Sequence, residues 1–403
     1  MTPTHELFAD IAPAGRDTRR VRAGCLGEWR AEPGFGVYVH IPFCLHRCHY
    51  CDFNTYEGQD HLHDRYVEAL VRNIETTEGP FPEATSVFFG GGTPTLLAPR
   101  QLARILTAVR GLTAVRTDAE VTIEANPETV DEGRFSDLLE AGFNRVSIGV
   151  QSLVPRVLKG LGRTHSPARA LAAIAAARRA GFPDVNADLI YGSSWESAAD
   201  WRASLDGSIE AGPDHVSAYA LTIEEGTPLA TLVTTGRVPD VDPDVQAERH
   251  AIANEVLAAA GYERYEVSNW ARPGKASSHN VLYWSAGDYL GFGAGAHGHL
   301  AGRRYWAVRL PREFIDRVAG GSSTEDGHER VEDRTGEALM LGLRLTSGVQ
   351  LAPFERRFGP LGPPRRATIA GLETRGALEE RDGHLRLTDR ATLLANDVLS
   401  RLL

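Results

Sequence analysis

The stretch "HIPFCLHRCHYCDFN" (residues 40–54) holds three of the four cysteines of a 403-residue chain. They follow the spacing C-x3-C-x2-C and are Cys44, Cys48 and Cys51. Thiols this close together, in a long chain with few cysteines, indicate a metal or iron–sulfur site rather than a disulfide framework. Three thiolates can hold three irons of a [4Fe–4S] cluster and leave the fourth iron without a protein ligand. A structural zinc completed by His46 or His49 is the alternative.

An open iron suits a cofactor that chelates the cluster directly. S-adenosylmethionine (SAM) can do so through its amino and carboxylate groups, and an electron from the cluster then breaks its sulfonium C–S bond. The zinc alternative explains the spacing less well, because structural zinc sites usually pair their ligands from separate knuckles. Cys25 lies well upstream of the other three cysteines and has no evident partner, so it is given no role.

Charge and hydropathy narrow the class of protein. The formal net charge of −10 disfavours a protein whose main task is to grip nucleic acid. The first residues carry acidic side chains and lack an apolar core, which is not typical of a signal peptide. The longest apolar run, 170–177, is far shorter than the roughly 20 residues that a membrane-spanning helix needs. We expect a soluble, cytoplasmic protein with no transmembrane segment.

Short apolar runs alternate with helical patterns through the first half of the chain. The predicted strands are 37–42, 86–89, 120–124, 145–150, 185–190 and 215–221. One intervening helix begins at Ser166-Pro167 and ends at Gly181, in the order N-cap, first-turn proline and C-terminal glycine. Six strand-then-helix units predict a parallel α/β sheet, open or closed, whereas a full barrel would need eight.

The composition changes twice after the last predicted strand. We divide the chain into an N-terminal extension (1–35), the parallel α/β unit (36–235), an extension with the block "HNVLYW" (236–330) and a C-terminal domain (331–403). Polar residues with Gly and Ser predict a surface loop over 320–332. In the last domain, helices precede a hairpin whose turn is Asp382-Gly383, an arrangement similar to a winged helix.

Several motifs in a fixed order carry a family resemblance. They are "YVHIPFCLHRCHYCDF", "FFGGGTPT", "EANPETV", "RVSIGVQS", "LGRTH", "NADLIYG", "HVSAYALTIEEGTPL" and "HNVLYW". From about residue 37 to at least 305, the chain resembles the radical SAM superfamily, and within it the family of oxygen-independent coproporphyrinogen III oxidases and their relatives, the HemW heme chaperones. The resemblance implies a partial (β/α)6 radical SAM barrel, followed here by a smaller C-terminal α+β domain.

The resemblance also implies which residues contact SAM. They are Tyr38, Tyr50, Gly91, Gly92, Thr93, Glu124, Gln151, Arg163 and Asp188. Glycines after a strand let backbone amides approach a ligand, although a merely tight turn is the alternative for them. The acidic side chains near strand ends would suit the SAM amino group or ribose hydroxyls, and Arg163 its carboxylate. Core packing is the alternative for the two tyrosines.

Two departures from the oxidase pattern favour the chaperone branch. The oxidases carry a further cysteine two positions after the third, where this chain has Phe53. The block "HNVLYW" matches the H-N-x-x-Y-W pattern associated with HemW, which makes His279 the candidate heme ligand and Tyr283 and Trp284 its neighbours. A hydrogen-bonded structural role is the alternative for His279. Weaker candidates are His297 and His299.

The expected protein is a heme chaperone that binds heme, a [4Fe–4S] cluster and SAM, and transfers heme to acceptor proteins such as respiratory ones. It would also need an electron donor, and nucleic acid is not an expected partner. Whether it turns SAM over is left open, because a carrier would keep the same motifs. The alternatives are oxidative decarboxylation of coproporphyrinogen III and a radical SAM reaction of another pathway, such as tRNA modification.

Overall fold

The structure is a computed structural model that describes residues 27–403. Its strands are β1 (Phe35–Ile41), β2 (Phe43–Cys44), β3 (Tyr56–Glu57), β4 (Ala84–Gly91), β5 (Val115–Ala125), β6 (Arg145–Gln151), β7 (Asp184–Tyr191), β8 (His215–Ala220), β9 (Glu263–Arg264), β10 (Asn269–Ala271), β11 (Asp288–Phe292), β12 (His297–Leu300), β13 (Arg303–Ala307), β14 (Glu325–Arg330), β15 (Val349–Gln350), β16 (Leu378–Arg381) and β17 (His384–Leu387). Cys25, to which no role was assigned, lies outside the described residues, as does most of the predicted N-terminal extension.

Helices separate most of these strands. They are α1 (His63–Glu75), α2 (Pro99–Leu112), α3 (Glu132–Ala141), α4 (Pro155–Gly160), α5 (Pro167–Ala180), α6 (Ala198–Glu210), α7 (Pro228–Thr234), α8 (Pro243–Ala259), α9 (Ser278–Trp284), α10 (Pro311–Ala319), α11 (Arg334–Gly342), α12 (Leu351–Phe358), α13 (Pro363–Thr374) and α14 (Ala395–Ser400). No helix in the described part of the chain is long and apolar enough to span a membrane.

Six parallel strands form the centre of the molecule. β1, β4, β5, β6, β7 and β8 are neighbours in chain order and all parallel, with at least one helix between successive strands. This arrangement confirms the partial (β/α)6 barrel. The apolar strand sequences explain this arrangement, because a parallel sheet is covered by the helices that connect its strands. In β1, for example, the side chains of Val37, Val39 and Ile41 are fully buried in the core between sheet and helices.

The predicted ends of α5 are also confirmed. The Ser166 side chain accepts a hydrogen bond from the backbone N–H of Arg169, and Pro167 occupies the first turn. Gly181 ends the helix in the left-handed conformation, with φ of 96°. The cap residues thus fix where the chain returns to the sheet as β7.

Further strands extend the central sheet at both edges. β11 pairs in parallel with the free edge of β1, and β12, β13 and β14 continue the sheet antiparallel. On the other edge β10 and β9 pair antiparallel beyond β8. The predicted surface loop over 320–332 is therefore wrong in part, because β14 forms a regular edge strand there. Its side chains are mostly exposed, and backbone hydrogen bonding rather than apolar alternation holds it.

The C-terminal segment has a hydrophobic core of its own. Leu339, Phe354, Leu372, Leu385 and Val398 are buried in that core. Helices α11, α12 and α13 precede the hairpin β16–β17, and β15 pairs with β17 to give a three-stranded antiparallel sheet. The hairpin turn adopts positive φ at Asp382 and Gly383, as predicted from the sequence. Helices and hairpin occur in the order of a winged helix.

Candidate functional site

The three clustered thiols lie on a loop of residues 42–55, the cluster loop, which leaves the barrel at the end of β1. Cys44 ends β2, and a short parallel pairing of β2 with β3 closes the loop behind it. The hydroxyl of Thr93 donates to Cys44 Sγ at 3.8 Å, and Thr55 Oγ1 lies 4.0 Å from Cys51 Sγ. Arg163 Nη1 donates to Cys48 Sγ at 3.4 Å. These three contacts, made within residues 27–403, are long or, for Cys48, to a cation.

Burial keeps two of these thiols protonated in the absence of metal. It raises the pKa of Cys44 to about 11 and raises that of Cys51, and the neighbouring thiols act in the same direction. Metal binding requires the thiolate, so any metal that binds these thiols must displace the protons. The third sulfur, that of Cys48, has the Arg163 guanidinium beside it.

The glycine turn after β4 passes close behind the cluster loop. A Cβ added at Gly92 would lie 2.4 Å from the carbonyl oxygen of Phe43 and 3.0 Å from Cys44 Sγ. Gly91 has φ of 114°, and a Cβ there would lie 2.5 Å from the His40 ring. Its N–H donates to Glu124 Oε2 at 3.0 Å. The glycines are thus required by close backbone approach, whatever ligand the turn also contacts.

The histidines of the zinc alternative have other contacts. His46 Nδ1 lies 3.3 Å from Glu57 Oε1, on the exposed side of the loop. His49 Nδ1 lies 3.2 Å from the carbonyl oxygen of Gly160. Within residues 27–403, no three His, Cys, Asp or Glu side chains converge on a point where they would share one metal ion. Thiols that bind separate irons of a cluster need no such convergence.

Two partly buried carboxylates face the barrel interior near the cluster loop. Burial, reinforced by Asp188, raises the pKa of Glu124 to about 8. Burial also raises the pKa of Asp188, whose oxygens accept from Ser147 Oγ and Asn186 Nδ2, each at 2.7 Å. Two such acids, with no facing cation strong enough to keep their pKa values low, fit a ligand that brings an ammonium group or hydroxyl donors.

Arg163 joins the strand ends to the cluster loop. Its Nη2 donates to Asn126 Oδ1 at 2.7 Å and to the carbonyl oxygen of Gly149 at 3.1 Å. Asn126 Nδ2 in turn donates to Thr93 Oγ1 at 2.9 Å. The Arg163 Nε is buried without a hydrogen-bond partner in the described structure. Sequence analysis missed Asn126, although it lies in the quoted motif "EANPETV" and directly follows β5.

Gln151 adopts a backbone conformation that is unusual for its type. Its φ is 63°, and it follows a bulge where β6 loses register with β7. Left-handed backbone at a residue other than glycine costs about 1–3 kcal/mol, and such strain is concentrated at functional sites. Gln151 Nε2 would lie 2.8 Å from a Cβ at Gly149, so the side chain folds back over that glycine. The amide therefore lies beside Gly149, the position that Asn126 Oδ1 and Arg163 Nη2 also approach.

The two tyrosines predicted to line the SAM site differ in their surroundings. Tyr38 lies on the inner face of β1, where its hydroxyl is 2.9 Å from His40 Nδ1 and its ring stacks on Phe88. Tyr50 packs beside an apolar cluster that includes Val157 and Leu161. Burial raises the pKa values of both hydroxyls. Tyr38 is thus part of the barrel interior, whereas Tyr50 shares the packing of the wall beside the cluster loop.

The block "HNVLYW" forms α9, at the end of the barrel opposite the cluster loop. Glu120 of β5 holds the start of this helix, accepting from Ser278 N at 2.7 Å, from His279 N at 3.1 Å and from Ser277 Oγ at 3.1 Å. A carboxylate satisfies N–H groups at a helix start especially well. Sequence analysis missed Glu120, because its partners lie more than 150 residues later.

His279 is buried, and both of its ring nitrogens have partners. Nδ1 lies 2.9 Å from Ser86 Oγ, and Nε2 lies 2.9 Å from the Tyr283 hydroxyl. The ring also stacks on Phe88 at 5.2 Å, and burial lowers its pKa to about 3. The imidazole is therefore neutral at physiological pH. To ligate iron it would have to give up one of these hydrogen bonds, so its role as heme ligand stays a prediction.

The other candidate heme residues lie around this helix. The Trp284 ring sits under the guanidinium of Arg344 at 4.7 Å. His297 is exposed and tilts on Trp306, whereas His299 is largely buried, with Nδ1 3.1 Å from Asp288 Oδ1. His299 pairs with Tyr289, which lies beside the start of β1, and Trp284 lies on α9. His297 lies closer to the thiols, because it acts with burial to lower the pKa of His40, whose ring contacts the glycine turn. The structure thus separates Trp284 and His299, but not His297, from the predicted cluster site.

Two family profiles match the chain. The profile of the Radical SAM superfamily matches residues 38–206, which run from the middle of β1 past β7 and include the three thiols. The profile of the HemN C-terminal domain matches residues 331–394, which include the three-stranded sheet and its helices. The matched regions correspond to the barrel and to the C-terminal core seen in the structure.

Curated relatives match nearly the whole chain. The heme chaperone HemW of Mycobacterium tuberculosis (strain H37Rv) is 42% identical over 92% of this chain and 95% of its own length. The heme chaperone HemW of Escherichia coli (strain K12) is 35% identical over 91% of this chain and 97% of its own length. The heme chaperone HemW of Bacillus subtilis (strain 168) is 34% identical over 91% of this chain and 98% of its own length.

A solved structure supports the fold. The coproporphyrinogen III oxidase HemN of Escherichia coli, described as a radical SAM enzyme, superimposes with a TM-score of 0.79. The match covers 94% of this chain and 92% of HemN at 21% sequence identity. At that identity the likeness speaks for a shared architecture alone.

Proposed function

The chain belongs to the HemW family of the radical SAM superfamily, and on that basis we propose that it is a heme chaperone that binds heme and hands it to acceptor proteins. The observation that carries this proposal is the 42% identity to a heme chaperone over 92% of the chain. Phe53, where the oxidases carry another cysteine, agrees with it. Its side chain is 65% exposed on the cluster loop.

The proposed resident cofactors are a [4Fe–4S] cluster and SAM. Cys44, Cys48 and Cys51 would hold three irons, since their sulfurs have few competing contacts. When bound, the reduced cluster supplies an electron that can break the sulfonium bond of SAM. An electron donor is therefore a further proposed partner.

The chain's own side chains supply the proposed SAM contacts. Glu124 and Asp188, whose pKa values are raised, would ionise beside the SAM amino group or accept from its ribose hydroxyls. Arg163 offers a cation next to Cys48 for the carboxylate of SAM. The remaining proposed contacts are Tyr38, Tyr50, Gly91, Gly92, Thr93 and Gln151.

Heme and its protein acceptors, such as respiratory ones, are the proposed cargo and recipients. His279 is the heme ligand that the resemblance implies. Because Ser86 and Tyr283 occupy both of its nitrogens, ligation would require the Tyr283 hydroxyl to move away. Imidazole ligation would give a heme spectrum that depends on that side chain.

Anaerobic reconstitution tests the function directly. The full chain, with its iron and sulfide restored, is titrated with heme in the presence and absence of SAM and then mixed with a heme-free acceptor. We expect stoichiometric heme binding, seen as a shifted Soret band, followed by transfer of that absorbance to the acceptor. In parallel, coproporphyrinogen III is supplied with SAM and a reductant. Formation of protoporphyrinogen would contradict the carrier function and support oxidative decarboxylation.

A further inference from the structure

A cavity of about 240 Å³ lies between the extended barrel sheet and the C-terminal helices. One wall is formed by side chains of α9, β11, β12 and β13, which include Tyr283, Tyr289 and His299. The other wall comes from α11 and α12, with Leu341 and Phe358. Neither the proposed cluster site nor the proposed SAM site uses any of these residues. The cavity is therefore a separate candidate for ligand binding.

His299 has the environment of a metal-binding histidine. Its Nδ1 lies 3.1 Å from Asp288 Oδ1, and the backbone N–H of Ala301 donates to the same oxygen at 3.0 Å. A carboxylate at Nδ1 fixes the tautomer with its proton there and leaves the Nε2 lone pair free to bind a metal. Nε2 has no hydrogen-bond partner among residues 27–403, and His299 lines the cavity. His279 differs, because hydroxyls occupy both of its nitrogens.

The residues beside His299 suit a flat ligand that is apolar on its faces and acidic at one edge. The sheet register places Tyr289 and Arg304 directly opposite His299 on the neighbouring strands, so the three side chains share one face. Arg304 is paired with Glu329 and Glu337. Arg334, also on the cavity wall, makes no ion pair or side-chain hydrogen bond with the described residues, although with His299 its more distant charge helps to lower the pKa of Asp288. Its guanidinium is thus available to a carboxylate.

From this geometry we infer that heme binds at this cavity, with His299 Nε2 as the axial iron ligand and Arg334 as the partner of a heme propionate. The inference rests on the proposed function and names the site at which that function occurs. Asp288 is a positioning residue, which holds the imidazole through Nδ1. Leu341 and Phe358 provide apolar contact for the porphyrin.

The HNVLYW helix then has a supporting role. Tyr283 lines the cavity with its ring, while its hydroxyl is held by His279 Nε2 at 2.9 Å. Glu120 fixes the start of the same helix to β5. The motif thus anchors one wall of the cavity to the barrel, and His279 acts through Tyr283 rather than on the iron.

The size of the cavity is consistent with a site that releases its cargo. Pockets that enclose a drug-sized ligand measure about 300–1,000 Å³, so this one holds only part of a porphyrin. The rest of the macrocycle would stay exposed between the sheet and the C-terminal helices. An acceptor could then contact heme before the His299 bond breaks.

The test uses the full chain and follows heme spectra and affinity. His299→Ala and His299→Gln should both lose the imidazole-ligated spectrum, and Gln can still donate to Asp288, which preserves the fold. Asp288→Asn should weaken heme binding about 10–100-fold, as expected for the partner of a ligating histidine. His297→Ala, on the same strand but outside the cavity, is the matched control. His279→Gln should keep the spectrum, because an amide can replace both hydrogen bonds.

The outcomes separate the site from the function. Added imidazole that restores the spectrum of His299→Gly would support direct ligation. Wild-type protein that binds heme, together with His299 variants that keep the same spectrum, would overturn the inference but leave the chaperone function standing. Loss of the spectrum in His279→Gln alone would likewise overturn it. Failure of the wild-type protein to bind heme at all would overturn the proposed function as well.

Discussion

The cluster loop and the HNVLYW helix both carry residues with strong ligand chemistry, but the protein satisfies them to different degrees. The thiols of the loop have contacts of 3.4–4.0 Å to side chains that hold them weakly. His279 on the helix has two 2.9 Å hydrogen bonds and a stacked aromatic neighbour. The thiols thus have long contacts that a ligand can replace, whereas His279 contributes two short hydrogen bonds to the packing of its helix.

Residue type alone therefore does not identify a ligand. A side chain already satisfied inside the protein must break those bonds to bind anything else, which costs the free energy they contributed. His299 has Nδ1 held by Asp288, while Nε2 makes no hydrogen bond within residues 27–403, so it lies between the two extremes. Substitution of each residue separates a structural role, seen as lost stability, from a ligand-binding role, seen as lost affinity.

The largest effect is expected at the cluster loop. Cys44→Ala should abolish the iron–sulfur chromophore of anaerobically prepared protein, because two thiolates cannot replace a three-thiolate site. Iron and sulfide analysis with absorbance spectroscopy would measure it. His46→Ala, in the same loop, should retain the cluster. Stoichiometric zinc in wild-type protein without iron would show that the thiols serve another metal.

His279→Ala should chiefly destabilise the fold. Removing a buried ring with two hydrogen bonds should lower the free energy of unfolding by about 3–5 kcal/mol, by analogy with other buried aromatic side chains. The matched control is His297→Ala, in which loss of an exposed ring should change the free energy of unfolding by no more than about 0.5 kcal/mol. Denaturant unfolding compares the two. Equal and small effects would show that the helix does not depend on this histidine.

Glu124→Gln should weaken SAM binding with little structural change. The amide oxygen can still accept from Gly91 N, but it cannot ionise beside a cation. Loss of a charge-assisted contact costs about 1.5–3 kcal/mol, so the dissociation constant should rise roughly tenfold or more. Calorimetry on cluster-loaded protein would measure it, with the surface variant Glu132→Gln as control. An unchanged affinity would remove Glu124 from the proposed SAM site.

The smallest effect is the pH dependence of stability in protein without cluster or SAM. Burial raises the pKa of Glu124 to about 8, above its usual value near 4.5. Between these two pH values Glu124 is protonated in the native state but ionised in the unfolded state. The stability that this bound proton contributes to the native state therefore falls as the pH rises and is lost above pH 8. The unfolding free energy of wild-type protein relative to Glu124→Gln should therefore decrease from pH 5 to pH 8. An increase would mean that Glu124 is ionised at neutral pH.

Much of the fold could be predicted from the sequence because local patterns carry it. Near-continuous apolar runs marked the parallel strands, and Ser166, Pro167 and Gly181 marked the ends of α5. The added edge strands could not be found in this way. β14 (Glu325–Arg330) is polar and mostly exposed, and it exists as a strand because β13 offers it a backbone edge.

The candidate site shows the same division. The thiols lie close to one another in sequence, and so do the glycines of the turn, so the chemistry of each group could be predicted from its own motif. Asn126, Glu120 and Asp288 act on residues of other segments, and only the folded chain brings them to those partners. Such a residue looks like any other polar side chain near a strand. The sequence also identified His279 as reactive, but not that Ser86 and Tyr283 would occupy its ring.

The pairing of β1 with β11 has a consequence for synthesis of the chain. β1 pairs on one side with β4, but its other edge waits for residues 288–292. At about 5–20 residues per second, translation reaches that segment on the order of ten to fifty seconds after β1 has been made. During this interval an apolar strand edge is open to pairing with other chains. Chains truncated just before Asp288 should aggregate more than chains truncated after Arg330. Equal solubility would show that the nascent chain protects this edge in another way.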